Sequence, residues 1–122
     1  NFSDRGALAD EQERQLVSSV REWLNEHYAE NNIAGALEQA FSQNLEEVDR
    51  SYEQYYGIHI DEYVDNRRLN AAKELLRFSI KPVAEVAAVS GIGNEAVMQR
   101  MFREKEGMSA EEYRQKWAQW IR

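Results

Sequence analysis

The apolar residues of this chain recur at steps of three and four along most of its length, which is the spacing of one face of an α-helix. No stretch alternates apolar and polar residues as a half-buried β-strand does. The pattern predicts an all-α fold of about seven helices, over residues 7–29, 34–41, 45–55, 61–78, 82–89, 94–105 and 110–121.

Capping residues sharpen several of these boundaries. Asn44 is a suitable N-cap, and Pro82 suits the first turn of a helix. Gly57 and Gly107 are expected to end helices in the left-handed conformation, which glycine adopts without steric cost. A capping box is predicted at the start of the last helix by the pair Ser109 and Glu112.

Aromatic residues are assigned to the predicted core or its edge. The third helix is expected to turn Tyr55 inward together with its other apolar residues. The last helix carries the apolar residues Tyr113, Trp117, Trp120 and Ile121.

The predicted helices form a rough internal repeat. A short helix, a turn, a second helix and a glycine occur at 34–57 and again at 82–107. Each copy ends with an arginine, an aromatic residue and a glycine at equal spacing: Arg50, Tyr52 and Gly57, then Arg100, Phe102 and Gly107. A short helix, a tight turn and a second helix make a helix-turn-helix unit, so we expect two such units, joined by a long helix.

Composition narrows the class of protein. With 122 residues, no cysteine and no apolar run long enough to cross a membrane, the chain is expected to be one intracellular, cytoplasmic domain without disulfides. Because it begins at Asn1, we expect a fragment of a longer protein. The net charge of -7 argues against a general nucleic-acid binder. However, residues 1–56 carry -8 and residues 57–122 carry +1, so any DNA affinity should come mainly from the second half.

Several motifs in the second half resemble the DNA-binding domain of AraC/XylS-type transcription regulators. The linker-helix motif is matched at residues 68–76, the second helix-turn-helix at 83–92, the recognition helix at 98–103 and the closing motif at 107–114. The match is weaker over residues 16–57, which keep the spacing but fewer of the residues. Ile92, Met98 and Ala110 also depart from the residues common in the family, which suggests a diverged member.

The resemblance implies an organisation and a set of partners. Residues 1–122 would be one DNA-binding domain, with a first helix-turn-helix unit at 7–57, a linker helix at 58–78 and a second unit at 79–122. It would bind double-stranded DNA and activate transcription in a bacterial cytoplasm, with RNA polymerase as a candidate partner. A ligand-sensing or receiver domain is expected in another part of the same regulator.

In this interpretation the helix at 94–105 is the recognition helix. Such helices contact bases mainly with their N-terminal half. Arg100 can bind a guanine with two hydrogen bonds. Gln99, Ala96 and Asn94 lie on the same expected face, although Asn94 could instead be only the helix N-cap. The alternative for Arg100 is a solvated arginine or an ion pair with Glu104.

Phosphate contacts are expected from Arg103, Lys81 and Arg67, whose alternative is an ordinary surface charge. Arg68 is expected to pair with a carboxylate inside the fold. In the first unit, Arg50 is a weaker candidate for base contact.

The third helix also carries four carboxylates, which can neutralise this arginine and repel phosphates: Glu46, Glu47, Asp49 and Glu53. The second unit should therefore dominate binding. The alternative function is a helical protein-interaction module that has lost DNA binding.

Nothing in the sequence indicates catalysis, a metal site or a cofactor. His27 and His59 have no partner ligands at metal-binding spacing, and no nucleophile is accompanied by a base. Gly91 and Gly93 do not form a phosphate loop, because no Lys-Ser/Thr pair follows them.

Overall fold

The structure is a computed structural model that describes the backbone of residues 2–118 and the side chains of residues 10–118. This part of the chain forms seven helices and no strand, which confirms the all-α prediction. The helices are α1 (Phe2–His27), α2 (Ile33–Phe41), α3 (Leu45–Tyr56), α4 (Ile60–Phe78), α5 (Val83–Val89), α6 (Glu95–Glu106) and α7 (Ala110–Trp117). None of the described helices is long and apolar enough to span a membrane.

The helix caps largely follow the sequence. Asn44 caps α3, and Ser109 caps α7 in a full capping box with Glu112. Gly57 and Gly107 end α3 and α6 with positive φ angles of 80° and 73°. Pro82 stands one residue outside α5, at its N-cap position, so the prediction that it belongs to the first turn was off by one residue.

The chain divides into two compact units, Asn1–Val64 and Asp65–Arg122, with the division inside α4. The core of the first unit is built from α1, α2, α3 and the start of α4. It is formed by Val17, Val20, Leu24, Leu37, Val48, Tyr52, Ile60 and Val64. Beside this core the guanidinium of Arg21 lies over the rings of Tyr56 and Tyr63, at 4.3 and 4.8 Å from their centroids.

The core of the second unit repeats this plan with the rest of α4 and with α5, α6 and α7. It is formed by Leu69, Ala72, Leu76, Val86, Ala87, Met98, Phe102, Ala110 and Tyr113. Arg114 fastens α7 to the end of α4, because its guanidinium donates to the carbonyl oxygens of Leu76 and Ser79 at 3.2 Å each. The buried residues of α6 pack in this core against residues of α4, α5 and α7.

One aromatic residue lies differently from the sequence prediction. Tyr55 is exposed, and its hydroxyl donates to the carbonyl oxygen of Asp10 at 3.0 Å. Trp117 lies at the edge of the core beside Tyr113, and α7 ends there with Ala118 extended, four residues before the predicted end at 121. Trp120 and Ile121, which the sequence assigns to the last helix, lie outside the described residues.

Candidate nucleic-acid interface

Helix α6 is fixed by caps at both of its ends and by core packing along its inner face. The side chain of Asn94 accepts a hydrogen bond from the backbone N–H of Val97 at 2.8 Å, and Gly107 ends the helix in the left-handed conformation. Met98 and Phe102 are completely buried on the inner face. Residues two positions away lie on nearly the opposite side of the helix, so helical periodicity turns Ala96 and Arg100 outward.

The turn before α6 depends on two glycines. Gly91 and Gly93 have φ angles of 90° and 106°, which side chains rarely tolerate. The N–H of Gly93 donates to the carbonyl oxygen of Ala87 at 2.9 Å, and the buried hydroxyl of Ser90 donates to the same oxygen at 3.2 Å. The turn thus connects α5 and α6 tightly, as a helix-turn-helix unit requires.

The outer face of α6 presents two arginines without ion pairs. Ala96, Arg100, Arg103 and Glu104 are exposed, and together with Gln99 they line one shallow depression. Among the described residues, no carboxylate lies within ion-pair distance of either arginine, including Glu104, which was the sequence alternative for Arg100. Both guanidinium groups are therefore available to a ligand with acceptor oxygens.

Two of the predicted base-contacting residues already have partners within the protein. Asn94 caps α6, which is the alternative role that the sequence offered. The side-chain oxygen of Gln99 accepts from the backbone N–H of Ala110 at 2.8 Å, and its amide nitrogen donates to Glu111 at 2.5 Å. Base contact by either residue would require the release of these bonds.

The predicted phosphate contacts outside α6 are less accessible than Arg103. The ammonium group of Lys81 lies 3.3 Å from a carboxylate oxygen of Glu85, one helical turn away. Arg67 is half-buried on α4. Of the three predicted phosphate contacts, the structure exposes only Arg103 fully.

The equivalent helix of the first unit, α3, is fixed in the same way. The side chain of Asn44 accepts from the backbone N–H of Glu47 at 3.2 Å, and Gly57 ends the helix. Val48 and Tyr52 are buried on the inner face. The two helices therefore present equivalent outer faces.

The charges on the two outer faces differ sharply. On α3, Arg50 is exposed among three exposed carboxylates, Glu46, Glu47 and Glu53. The whole of α3 carries four acidic residues and one arginine, which gives a charge of -3. The whole of α6 carries three acidic and three basic residues, which gives a charge of zero. A phosphate backbone is accordingly repelled more by α3 than by α6.

Asp49 and Glu53 do not neutralise Arg50, contrary to the sequence expectation. Both carboxylates turn to His59 instead, with Asp49 at 2.9 Å from Nδ1 and Glu53 close to Nε2. Asp49 also accepts a hydrogen bond from the backbone N–H of Ile60 at 2.7 Å, at the start of α4. Arg50 has no ion pair with any residue that the structure describes.

His59 takes its proton more readily than an ordinary histidine. The hydrogen bond to Asp49 is the main cause of its raised pKa, and the negative charges of Glu53 and Asp61 add to it. Partial desolvation acts in the opposite direction but is weaker.

Sequence reasoning missed that one residue of each outer helix fastens the next helix. Asp49 accepts from the first residue of α4, and Gln99 accepts from the first residue of α7. The donors are Ile60 and Ala110, so the whole arrangement repeats at an offset of 50 residues. The internal repeat contained this signal, because Asp49 aligns with Gln99 when Arg50 is aligned with Arg100.

This geometry defines a helical protein with two helix-turn-helix units, the second of which exposes two arginines that have no ion pair among the described residues. Residues 37–116 match a family model described as a helix-turn-helix domain. The chain belongs to this family of AraC/XylS-type helix-turn-helix domains, as the sequence motifs indicated.

Curated relatives agree with this assignment. The chain is 31% identical over 99 residues to the HTH-type transcriptional activator RhaS of Salmonella schwarzengrund. A RhaS protein of Salmonella arizonae is 30% identical over the same length. The matched region covers 81% of this chain but only 36% of each relative, so the chain spans about a third of their length.

Solved structures share the fold. The DNA-binding domain of AdpA, crystallised with a target DNA, superposes with a TM-score of 0.75 at 25% identity, covering 82% of this chain and 90% of that one. The C-terminal domain of AraT, a response regulator from Geobacillus stearothermophilus, gives a TM-score of 0.79 at 19% identity, covering 87% and 90%.

Proposed function

We propose that this chain is the sequence-specific DNA-binding domain of a transcription regulator, with α6 entering the major groove. The observation that carries the proposal is the exposed pair Arg100 and Arg103, which have no ion pair within the described part of the chain and lie on a helix whose other face packs in the core. The family membership and the DNA complex of AdpA support it.

Arg100 is the proposed base reader. It lies midway along the outer face of α6, and arginine in a major groove reads guanine through two hydrogen bonds. Ala96, one turn earlier on the same face, offers only a methyl contact, such as one to thymine. Asn94 and Gln99 are lesser candidates because both are occupied within the protein.

Arg103 is the proposed phosphate contact, one turn after Arg100 and two turns after Ala96 on the same exposed face. Lys81 and Arg67 are additional phosphate candidates, although the ion pair to Glu85 would have to open for Lys81. Arg50 is proposed as a minor base contact in the first unit, limited by its acidic neighbours.

We also propose that the chain functions as part of a longer regulator that activates transcription. RhaS, which is named as a transcriptional activator, is almost three times as long as the matched region. AraT, whose C-terminal domain shares this fold, is a response regulator. A sensing or receiver domain and RNA polymerase are the partners that this proposal adds.

A protein-interaction module is the second candidate function, and the acidic outer face of α3 is the observation that favours it. Selection of bound sequences from a pool of random duplexes at low salt separates the two. A DNA-binding domain enriches one sequence motif, and the Arg100→Ala variant loses that motif. An interaction module enriches none, and its parent and variant behave alike.

A further inference from the structure

We propose that His59, Asp49 and Glu53 form a pH-sensitive switch that admits α3 to DNA when His59 is protonated and repels it when His59 is neutral. The inference rests on the proposed DNA-binding function and adds a form of regulation to it. It is carried by the placement of one imidazole between two carboxylates of the helix that should face a groove.

The first step is the geometry of the cluster. His59 stands between α3 and α4, with Nδ1 facing Asp49 at 2.9 Å and Nε2 facing Glu53. Both ring nitrogens must carry hydrogens to satisfy two carboxylates, and only the imidazolium does so. The neutral ring has one N–H, so its other nitrogen then faces a carboxylate with a lone pair.

The second step is which carboxylate is released. Asp49 is held additionally by the backbone N–H of Ile60 at 2.7 Å. Glu53 is exposed, and the ring is its only partner in the described part of the chain. Loss of the proton therefore frees Glu53 and raises the net negative charge of the cluster by one.

The third step is the direction of the pH effect. The charged groups that face His59 are Asp49 and Glu53 of α3 and Asp61 of α4, and all three favour the imidazolium. The pKa of His59 therefore lies above its ordinary 6.5. The ion pairs stabilise the fold fully below the pKa of the unfolded chain, and this contribution disappears as pH rises through the folded pKa. Contact between α3 and DNA weakens over the same interval.

The second unit provides an internal control. At the offset of 50 residues, the three positions are occupied by Gln99, Arg103 and Ser109, none of which titrates near neutral pH. The groove occupied by α6 should therefore be protected equally at every pH in this range.

The test measures binding of the 122-residue chain to a labelled duplex that spans both grooves, between about pH 5.5 and 8.5 at constant ionic strength. We expect the dissociation constant to rise roughly twofold across the titration, the effect of one unit charge about 8 Å from a phosphate at high dielectric. Footprinting should show protection beside α3 fading while protection beside α6 persists.

Two variants and one spectroscopic titration identify the group. His59→Gln should bind with no pH dependence, whereas His27→Gln, which changes the other histidine, should behave as the parent. Asp49→Asn keeps the oxygen that caps Ile60 but removes the charge, so the pKa of His59 measured by NMR should fall toward its ordinary value.

Equal pH dependence in His59→Gln, or pH-independent binding by the parent, would overturn the switch and leave the proposed function intact. Absence of DNA binding at every pH would overturn the proposed function and the switch with it. An unchanged NMR titration of His59 in Asp49→Asn would also contradict the switch.

Discussion

The outer faces of α3 and α6 occupy equivalent places in their two units but differ in electrostatic character. Both helices begin at a capping asparagine, bury an aromatic residue and end at a glycine with positive φ. Both expose one arginine at the same place, Arg50 and Arg100. The residues around these arginines differ, since Glu46 and Glu53 in the first unit correspond to Ala96 and Arg103 in the second.

In both copies of the repeat the outer helix is held by equivalent contacts. The exposed side chains that a ligand would meet differ between the two copies. The supporting contacts include Asp49 to Ile60 and Gln99 to Ala110, which have nearly equal lengths of 2.7 and 2.8 Å. Only the exposed positions decide whether a phosphate backbone is attracted or repelled. We therefore expect the second unit to dominate DNA binding.

Salt dependence is the largest effect expected from this asymmetry. If one unit binds, about 3–5 phosphates are neutralised, and affinity falls with a log–log slope of ~0.9 for each. Raising salt from about 50 to 200 mM should then weaken binding roughly 40- to 500-fold. Titration by fluorescence anisotropy gives this slope. A clearly steeper slope would indicate that both units hold phosphates, and a flat one would contradict groove binding.

Matched alanine substitutions of the two equivalent arginines sharpen the comparison. Arg100→Ala should weaken binding to a selected site by ~1–3 kcal/mol, the range for a good bidentate base contact. Arg50→Ala should cost less than about 0.5 kcal/mol, as an ordinary surface substitution does. Competition binding with selected and scrambled duplexes measures both. Equal losses in the two variants would remove the distinction between the units.

The side chains that fasten the next helix should affect stability in both units alike. Gln99→Ala leaves the N–H of Ala110 without its acceptor, and loss of such a cap costs about 0.5–2 kcal/mol. Asp49→Ala removes the acceptor of Ile60 and should cost a similar amount, about 0.5–2 kcal/mol. Urea denaturation measures the loss. A Gln99→Ala variant of unchanged stability but altered base preference would show that Gln99 reads DNA.

The smallest expected effect is that of Arg103→Ala. A phosphate contact holds any sequence, so this variant should weaken selected and scrambled duplexes about equally and lower the salt slope by about one contact. The exposed Lys105→Ala variant, two residues further along α6, serves as a matched loss of charge. If Arg103→Ala changed the base preference, the residue that reads bases would be Arg103, one turn further along α6 than Arg100.

The fold was largely predictable from local signals. Apolar spacing located all seven helices, and capping residues such as Asn44, Gly57 and Gly107 located their ends. The end of α7 was not predictable, because the helix stops at Trp117 without a glycine or proline signal in the sequence.

The candidate site was predictable only in part, since side-chain partners depend on contacts between helices. The outward position of Arg100 follows from helical periodicity alone. The partners of Asp49 lie ten and eleven residues away on the chain, beyond the reach of spacing rules within one helix. For that reason the sequence paired Asp49 with Arg50, whereas the fold pairs it with His59.

The measurement that tests the central claim most directly is footprinting of the parent and of a variant with Glu46, Glu47 and Glu53 replaced by Gln. These substitutions remove three charges from α3 and keep helix propensity. A control variant replaces the exposed Glu22, Glu26 and Glu74, which lie on α1 and α4, by Gln. Both variants should be compared with the parent at a pH above the titration of His59.

The account predicts that the parent and the control protect about one major groove, whereas the α3 variant protects two and binds nonspecific DNA more tightly at low salt. A like-charge pair at ~4 Å costs ~1 kcal/mol at high dielectric, so removal of three such charges should be visible. A parent that protects two grooves, with loss of the specific site in the α3 variant, would show that these carboxylates read bases and would contradict the dominance of α6.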